Sequence, residues 1–336
     1  MSSEKTINAR RAFQDAVESY IKRRLLPSFG IGGDFQLTVP ARGARSVIFK
    51  ITPTKGTPFM VRCVPRIADA LRLKLVTSHF VSRGAPVPRI LTSDCSLKTF
   101  LSLRCCVLAE EYIDGNHPEE VDFDLESVRK GMTALAQLHD ISRSRWGRLG
   151  FGRRRGYFKH LMKRTSRRIE ELVNHGAMAS SGGMDIARFL NSFEKAISSL
   201  DSFSLCHMRI NSNNVMIPWN ADARLIDITT ARYASFVIDL IRALHRWTME
   251  NRRKMDVLRE HYLALRGENA RHEHDDTYGF HHAVYHVSQA NRAAKRLKKL
   301  GDRDVLDGYW TRDNLEVILN HNLSELKKIA DASLRA

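Results

Sequence analysis

The chain has 336 residues, of which 43% are apolar, 8% aromatic and 27% charged, a composition that supports a substantial core and excludes a fibre or a disordered tail. With 54 Lys and Arg against 37 Asp and Glu, the formal net charge is +17, so the surface offers positive potential to a nucleotide, a nucleic acid or a membrane face. No run approaches the roughly 20 apolar residues of a bilayer crossing, and Glu4, Asp15 and Glu18 are out of keeping with a signal or transit peptide; no membrane span and a cytoplasmic location are expected.

In chain order, Ala9, Phe13, Val17, Tyr20 and Ile21 have helical spacing, and this first helix is expected to end near Pro27 and Gly30. From Phe35 to Val64 the period becomes that of strands: FQLTV, SVIFKI and FMVRCV, separated by turns at ARGAR and TKGTP, predict a three-stranded antiparallel meander. A helix follows over Ile67–Val81, closed by Gly84, and then APVPRIL, whose prolines force an extended approach to a short strand. A polar turn over 93–98 leads to a fifth strand in LRCCVLAEEYI, which breaks at Asp114-Gly115.

Beyond residue 124 the periodicity is mainly helical, with one expected non-helical island at 203–228: an Asn-rich loop and two short strands, VMI and ARLIDI. A small strand-rich lobe followed by a larger helical one is therefore predicted, an α+β architecture. Five cysteines, Cys63, Cys95, Cys105, Cys106 and Cys206, have no CxxC spacing and read as reduced, structural thiols.

Phosphoryl transfer from a nucleotide needs metal ions across the phosphates, a cation beside them and a carboxylate for the attacking hydroxyl. Asn214 stands before one apolar strand of the island and Asp227 ends the next, so a hairpin would bring a neutral and an anionic oxygen donor to its mouth, a set that suits magnesium. The alternative for Asp227 is a turn cap.

The octapeptide HMRINSNN (207–214) resembles the HGDxxxxN catalytic loop of aminoglycoside phosphotransferases and choline-kinase-like enzymes, relatives of protein kinases; His207 and Asn214 match. Asp227 in LIDI falls where that family places its metal-binding Asp, and Asp239 in SFVIDL resembles the structural Asp that follows. GAPVPRIL, AEEYIDG and ALAQLHD resemble its fourth-strand approach, its hinge and the helix before the catalytic segment, so the similarity covers most of residues 35–245. The resemblance implies a two-lobed protein-kinase-like fold, with an antiparallel β N-lobe over 1–113 and a helical C-lobe over 114–336 that carries the hairpin 203–228. It further implies ATP and Mg2+ as cofactors, with Asn214 and Asp227 on the metal, Arg62 on the phosphates and the backbone of Ala109, Glu110, Glu111, Tyr112 and Ile113 on the adenine. The implied acceptor is a hydroxyl of a small molecule. His207 would hold the loop, and Asp239 would anchor it through backbone hydrogen bonds.

The chain also departs from that pattern. Arg209 stands where the family has the Asp that accepts the substrate proton, a role closed to a guanidinium. Another acid, such as Asp201, would then have to reach the acceptor. Arg62 replaces the phosphate-binding Lys, or is simply a solvated strand residue. The helix 67–81 has no Glu to pair with it, Asp69 being its one acid, and the loop PARGARS has a single Gly and makes a poor phosphate cradle. The competing expectation is a catalytically inactive pseudokinase that binds nucleotide or a partner.

Two features lie outside that scheme. Residues 143–168 carry eleven Arg and Lys and no acid, which predicts a basic face, either a solvated helix surface or a docking site for an anionic partner such as nucleic acid. His272, His274, His281, His282 and His286 include one i, i+4 pair able to face a metal, but with no Cys nearby and no HExxH they are expected to be surface or packing residues.

Overall fold

Strand-forming Val, Ile and Phe alternate through the first third of the chain, and in the computed structural model they build one antiparallel sheet. The structure describes residues 12–31, 34–39, 47–219, 221–307 and 310–333. The chain divides into two compact units, the first comprising the residues through His117 together with Asn214–Thr229, the second Pro118–Asn213 and the residues from Thr230 on.

In the first unit, β1 (Phe35–Thr38), β2 (Val47–Pro53), β3 (Phe59–Val64), β4 (Ile90–Asp94) and β5 (Cys106–Glu111) form a sheet of order β1-β2-β3-β5-β4, the predicted meander extended by two strands. Phe49, Ile51, Phe59, Val61 and Val107 point to a face covered by Val17, Ile21, Leu25 and Leu26 of the N-terminal helix, which passes through a π-helical turn at Ile21–Leu25. That helix is tied to β4 by Tyr20, whose hydroxyl donates to Asp94 at 2.7 Å. Its first residues, including Ala9, and the loop 40–46 lie outside the described residues.

The polar turn expected over 93–98 is replaced by the end of β4 and a short helix, Leu97–Leu103. Ser96 caps that helix by accepting from the Thr99 N–H at 3.3 Å, and Arg104 ends it at φ 56°. Seven residues are too few for periodicity to reveal.

The second unit is mainly helical, as the periodicity beyond residue 124 predicts, and its helices include Leu125–Asp140, Tyr157–Asn174, Val237–Trp247, Arg252–Arg266 and Glu268–Leu300. The island at 203–228 is not the only non-helical stretch. Phe203–Cys206 is a strand rather than part of a loop, and it joins a five-stranded sheet with Ser142–Arg143, Trp146–Arg148, Phe151–Arg153 and Arg232–Ala234. The first half of the basic segment is therefore strand and only its second half is helix; pieces of two or three residues have no readable period. Among the described residues, no helix is long and apolar enough to cross a membrane, and all five cysteines are free.

Next to this small sheet, the half-buried Glu273 accepts from Ser235 Oγ at 2.7 Å and burial pushes its pKa up from 4.5 to about 7, against that hydrogen bond and the charge of Arg266. The folded state thus holds this proton more tightly than the unfolded chain. Its effect is absent below the unfolded pKa, and an ionisation cost builds as pH rises through the folded one. At 1.36 kcal/mol per pH unit, less the screening of a partly exposed group, the cost is about 2 kcal/mol. Glu273→Gln should raise urea stability by about that much at pH 8 and leave it unchanged at pH 4; an equal effect at both pH values would refute the assignment.

Candidate functional site

Within the first unit, the strands Val215–Pro218 and Arg224–Leu225 form a hairpin in which Val215 pairs with Leu225 and Met216 with Arg224. The Ile226 N–H donates to the Asn214 carbonyl at 2.9 Å, so Asn214 and Asp227 leave the same end of the ladder. Asn214 is buried, and Asp227 sits at φ 57° with its carboxylate accepting from Thr229 Oγ1 at 3.1 Å. Left-handed backbone is tolerated best, after glycine, by Asn and Asp. The hairpin rests on Gly115–Asn116, where Ile217 pairs with Asn116. A Cβ on Gly115 would lie within 2.3 Å of the Ile217 carbonyl oxygen, so only glycine permits that approach. An amide oxygen and a carboxylate at one hairpin end fit a hard divalent cation such as Mg2+.

Arg62 lies on β3 and is not a solvated residue. Its Nε donates to Glu110 Oε1 at 2.7 Å and its Nη2 to Oε2 at 3.1 Å, a bidentate pair with both side chains largely buried. Burial opposes its charge, but Glu110 outweighs burial and Asp227 adds to it, so the Arg62 pKa is raised. The carboxylate that Arg62 lacks on the helix 67–81 is supplied by β5 instead; Asp69 pairs with Arg66. Residues Ala109, Glu110 and Glu111 belong to the β5 ladder, and the Glu111 N–H is taken by the Arg89 carbonyl at 2.9 Å. Tyr112 and Ile113 follow the strand, with Lys50 Nζ donating to the Tyr112 hydroxyl at 2.9 Å.

The second unit carries His207, Arg209 and Asp239. Asp239 is fully buried, and both its oxygens accept from the Met208 N–H at 3.0 Å. Arg242, one turn along the same helix, lies 3.5 Å from Asp239 and donates to the Met208 carbonyl at 2.6 Å. Burial alone would push the Asp239 carboxyl up; His139, then Arg242 and His207, outweigh it and hold it low. Burial keeps His139 neutral, so its Nδ1 accepts from Tyr262 at 2.6 Å and its Nε2–H faces Asp239 at 3.6 Å. Met208 is held in this network at φ 70°, a conformation that costs a non-glycine residue about 1–2 kcal/mol. His207 is fully buried and its carbonyl accepts from Thr230 Oγ1 at 3.0 Å. Arg209 is exposed. Asp201 is exposed too and acts electrostatically on Glu273.

Sequence reasoning missed His139, Arg242 and Tyr262. Arg242 had a signal, three residues after Asp239 on one helix face. His139 lies inside ALAQLHD, whereas Tyr262 arrives from a separate helix and has no local signal. In the basic segment most side chains, Arg145, Arg153 and Lys163 among them, are exposed. Arg143 is committed to the Arg145 and Arg148 carbonyls, at 2.7 and 3.0 Å, and lies 3.9 Å over the Tyr233 ring.

An antiparallel sheet of this order, followed by a largely helical region, defines a protein-kinase-like α+β fold. The sequence model of a phosphotransferase enzyme family, APH, matches residues 36–278, and the chain belongs to that family. Solved structures agree on the fold. The aminoglycoside phosphotransferase APH(4)-Ia is 13% identical, with 95% of this chain and 98% of that one covered at a TM-score of 0.60. An ethanolamine kinase of Plasmodium vivax is 14% identical over 88% and 83%, with a TM-score of 0.58. A variant of APH(4)-Ia in ternary complex with AMP-PNP and hygromycin B is 13% identical over 93% and 98%, also at 0.58. No curated protein matches the chain.

Proposed function

We propose that the chain is an ATP-dependent phosphotransferase that acts on a hydroxyl of a small molecule. The observation that carries this is the first unit itself, in which the hairpin sets Asn214 and Asp227 at one end and Asp227 acts electrostatically on the buried Arg62. Asn214 and Asp227 would hold Mg2+, which supplies charge neutralisation on the phosphates; Arg62 would meet those phosphates and, since the β5 ladder engages Ala109, Glu110 and Glu111, the backbone of Tyr112 and Ile113 would meet the adenine. Membership of the family supports the reaction class. Nucleotide and acceptor together in one relative, AMP-PNP with hygromycin B, support the substrate pair.

Arg209 leaves the proton of the acceptor hydroxyl without its usual base, so positioning and charge stabilisation carry the reaction. A correctly placed general base contributes about 10²–10⁴-fold, and Arg209→Asp should raise turnover within that range. The assay is ADP release with a panel of hydroxylated aminoglycosides and amino alcohols. Turnover in neither protein, despite Mg·ATP binding, would contradict the enzymatic reading and favour the second: a nucleotide-binding pseudokinase that docks an anionic partner on residues 143–168. Two observations favour that alternative, the exposed Arg209 and the pairing of Arg62 with Glu110.

A further inference from the structure

Two helices of the second unit bring three histidines to one point. His245 comes from Val237–Trp247, and His282 with His286 from Glu268–Leu300; one ring nitrogen of each lies within 4.8 Å of the other two. Sequence spacing could pair His282 with His286, but only the fold adds His245 from the earlier helix. His272, His274 and His281, the other members of the sequence cluster, are not part of the group.

The hydrogen bonds around His282 and His286 fix which of their nitrogens face each other. On the last helix, Arg312–Ser333, Asn322 Nδ2 donates to the Ile318 carbonyl at 2.6 Å, which orients its amide, so Asn322 Oδ1 must accept from His286 Nδ1 at 2.8 Å. His286 Nε2 is then a bare lone pair. It lies 3.0 Å from His282 Nε2, close to the roughly 3.3 Å between two nitrogens bound to one tetrahedral zinc at 2.0–2.1 Å. His245 is 7% exposed and neither of its ring nitrogens has a hydrogen-bond partner, although Glu250 Oε1 stands 3.7 Å from its Nδ1. Glu250, fixed by a turn in which Met249 and Glu250 both have positive φ, binds His321 Nε2 through its other oxygen at 2.8 Å. A carboxylate behind one imidazole and an amide behind another is the outer shell that metal-binding histidines use.

We infer that His245, His282 and His286 form a zinc site, with a water as fourth ligand, that clasps two helices of the second unit and is backed by Asn322 on a third. Without metal, His282 donates its Nε2 proton to His286; with metal, His282 shifts that proton to Nδ1 and both Nε2 atoms coordinate. Burial holds His282 at about 3 and His286 at about 4, so both rings are neutral at pH 7 and ready to bind. Glu325 acts electrostatically on both rings and Glu250 on His282, which supplies negative charge around the site. Imidazole nitrogens select zinc over the hard Mg2+ proposed for the hairpin, so the site is independent of that reading.

The test is calorimetric titration of the untagged, chelator-stripped full chain with Zn2+, and with Co2+ for its absorption bands, in excess Mg2+. Expected are one zinc per chain, tetrahedral cobalt bands and a higher melting temperature. His282→Gln should abolish the bands, and Asn322→Leu, which touches only the outer shell, should weaken binding roughly 10–100-fold. No stoichiometric zinc on the wild-type chain would overturn the inference, as would cobalt bands unchanged in a folded His282→Gln. Because the wild-type titration decides by itself, a variant that fails to fold does not shelter the idea.

Discussion

Asp239→Ala should lower the unfolding free energy by about 3–5 kcal/mol. The carboxylate is fully buried, and its removal strands the Met208 N–H, the Arg242 guanidinium and the His139 Nε2–H at once. The Met208 N–H loses its hydrogen-bond partner, and the other two lose the negative charge that faces them. The loop 207–214 is the segment most directly released, because its Met208 is held at φ 70° by that network. Asp239→Asn keeps an acceptor of the same shape but loses the charge, and should cost about half as much, in line with roughly 1.5–3 kcal/mol for hydrogen bonds to charged groups. Urea midpoints of the two variants, at unchanged slope, measure this. Equal losses in both would mean that charge alone, and not an acceptor of the right shape, holds the loop.

Glu110→Gln should cost about 3 kcal/mol, the lower end of the range for breaking a buried pair, because the side chains of Arg62 and Glu110 remain 16% and 13% exposed. The loss comes from the guanidinium left behind rather than from the pair's net worth. The double variant Arg62→Met with Glu110→Leu should therefore lie close to wild type in stability. Nucleotide separates the two proteins further. In Glu110→Gln the unpaired Arg62 is open to phosphate, so millimolar Mg·ATP should recover part of the lost melting temperature; in the double variant it should bring no such gain. Equal response to Mg·ATP in both would remove Arg62 from the phosphate site.

How far the sequence revealed this arrangement follows from the range of each interaction. The β1–β3 meander and the helices 67–81 and 125–140 were legible because their apolar periods run over many residues. The helix Leu97–Leu103 and the strands of two or three residues around 142–153 were not, since so short a piece carries no period, and Phe203–Cys206 was lost inside an Asn-rich context. Asn214, Asp227 and Asp239 stand out in the sequence through a local motif. The Arg62–Glu110 pair was missed because its two members are 48 residues apart and meet only across neighbouring strands. His245 and Tyr262 are likewise products of helix packing, invisible before the helices are placed.

The central claim is that Asn214 and Asp227 hold magnesium for a nucleotide that Arg62 helps to bind. Calorimetric titration of the purified chain with ATP, with and without Mg2+, and repeated on Asp227→Asn, tests it most directly. The expected result is binding that requires Mg2+ and falls by tenfold or more in the variant, about 1.4 kcal/mol or greater. Absence of binding at millimolar ATP, or binding indifferent to both Mg2+ and Asp227, would contradict the account.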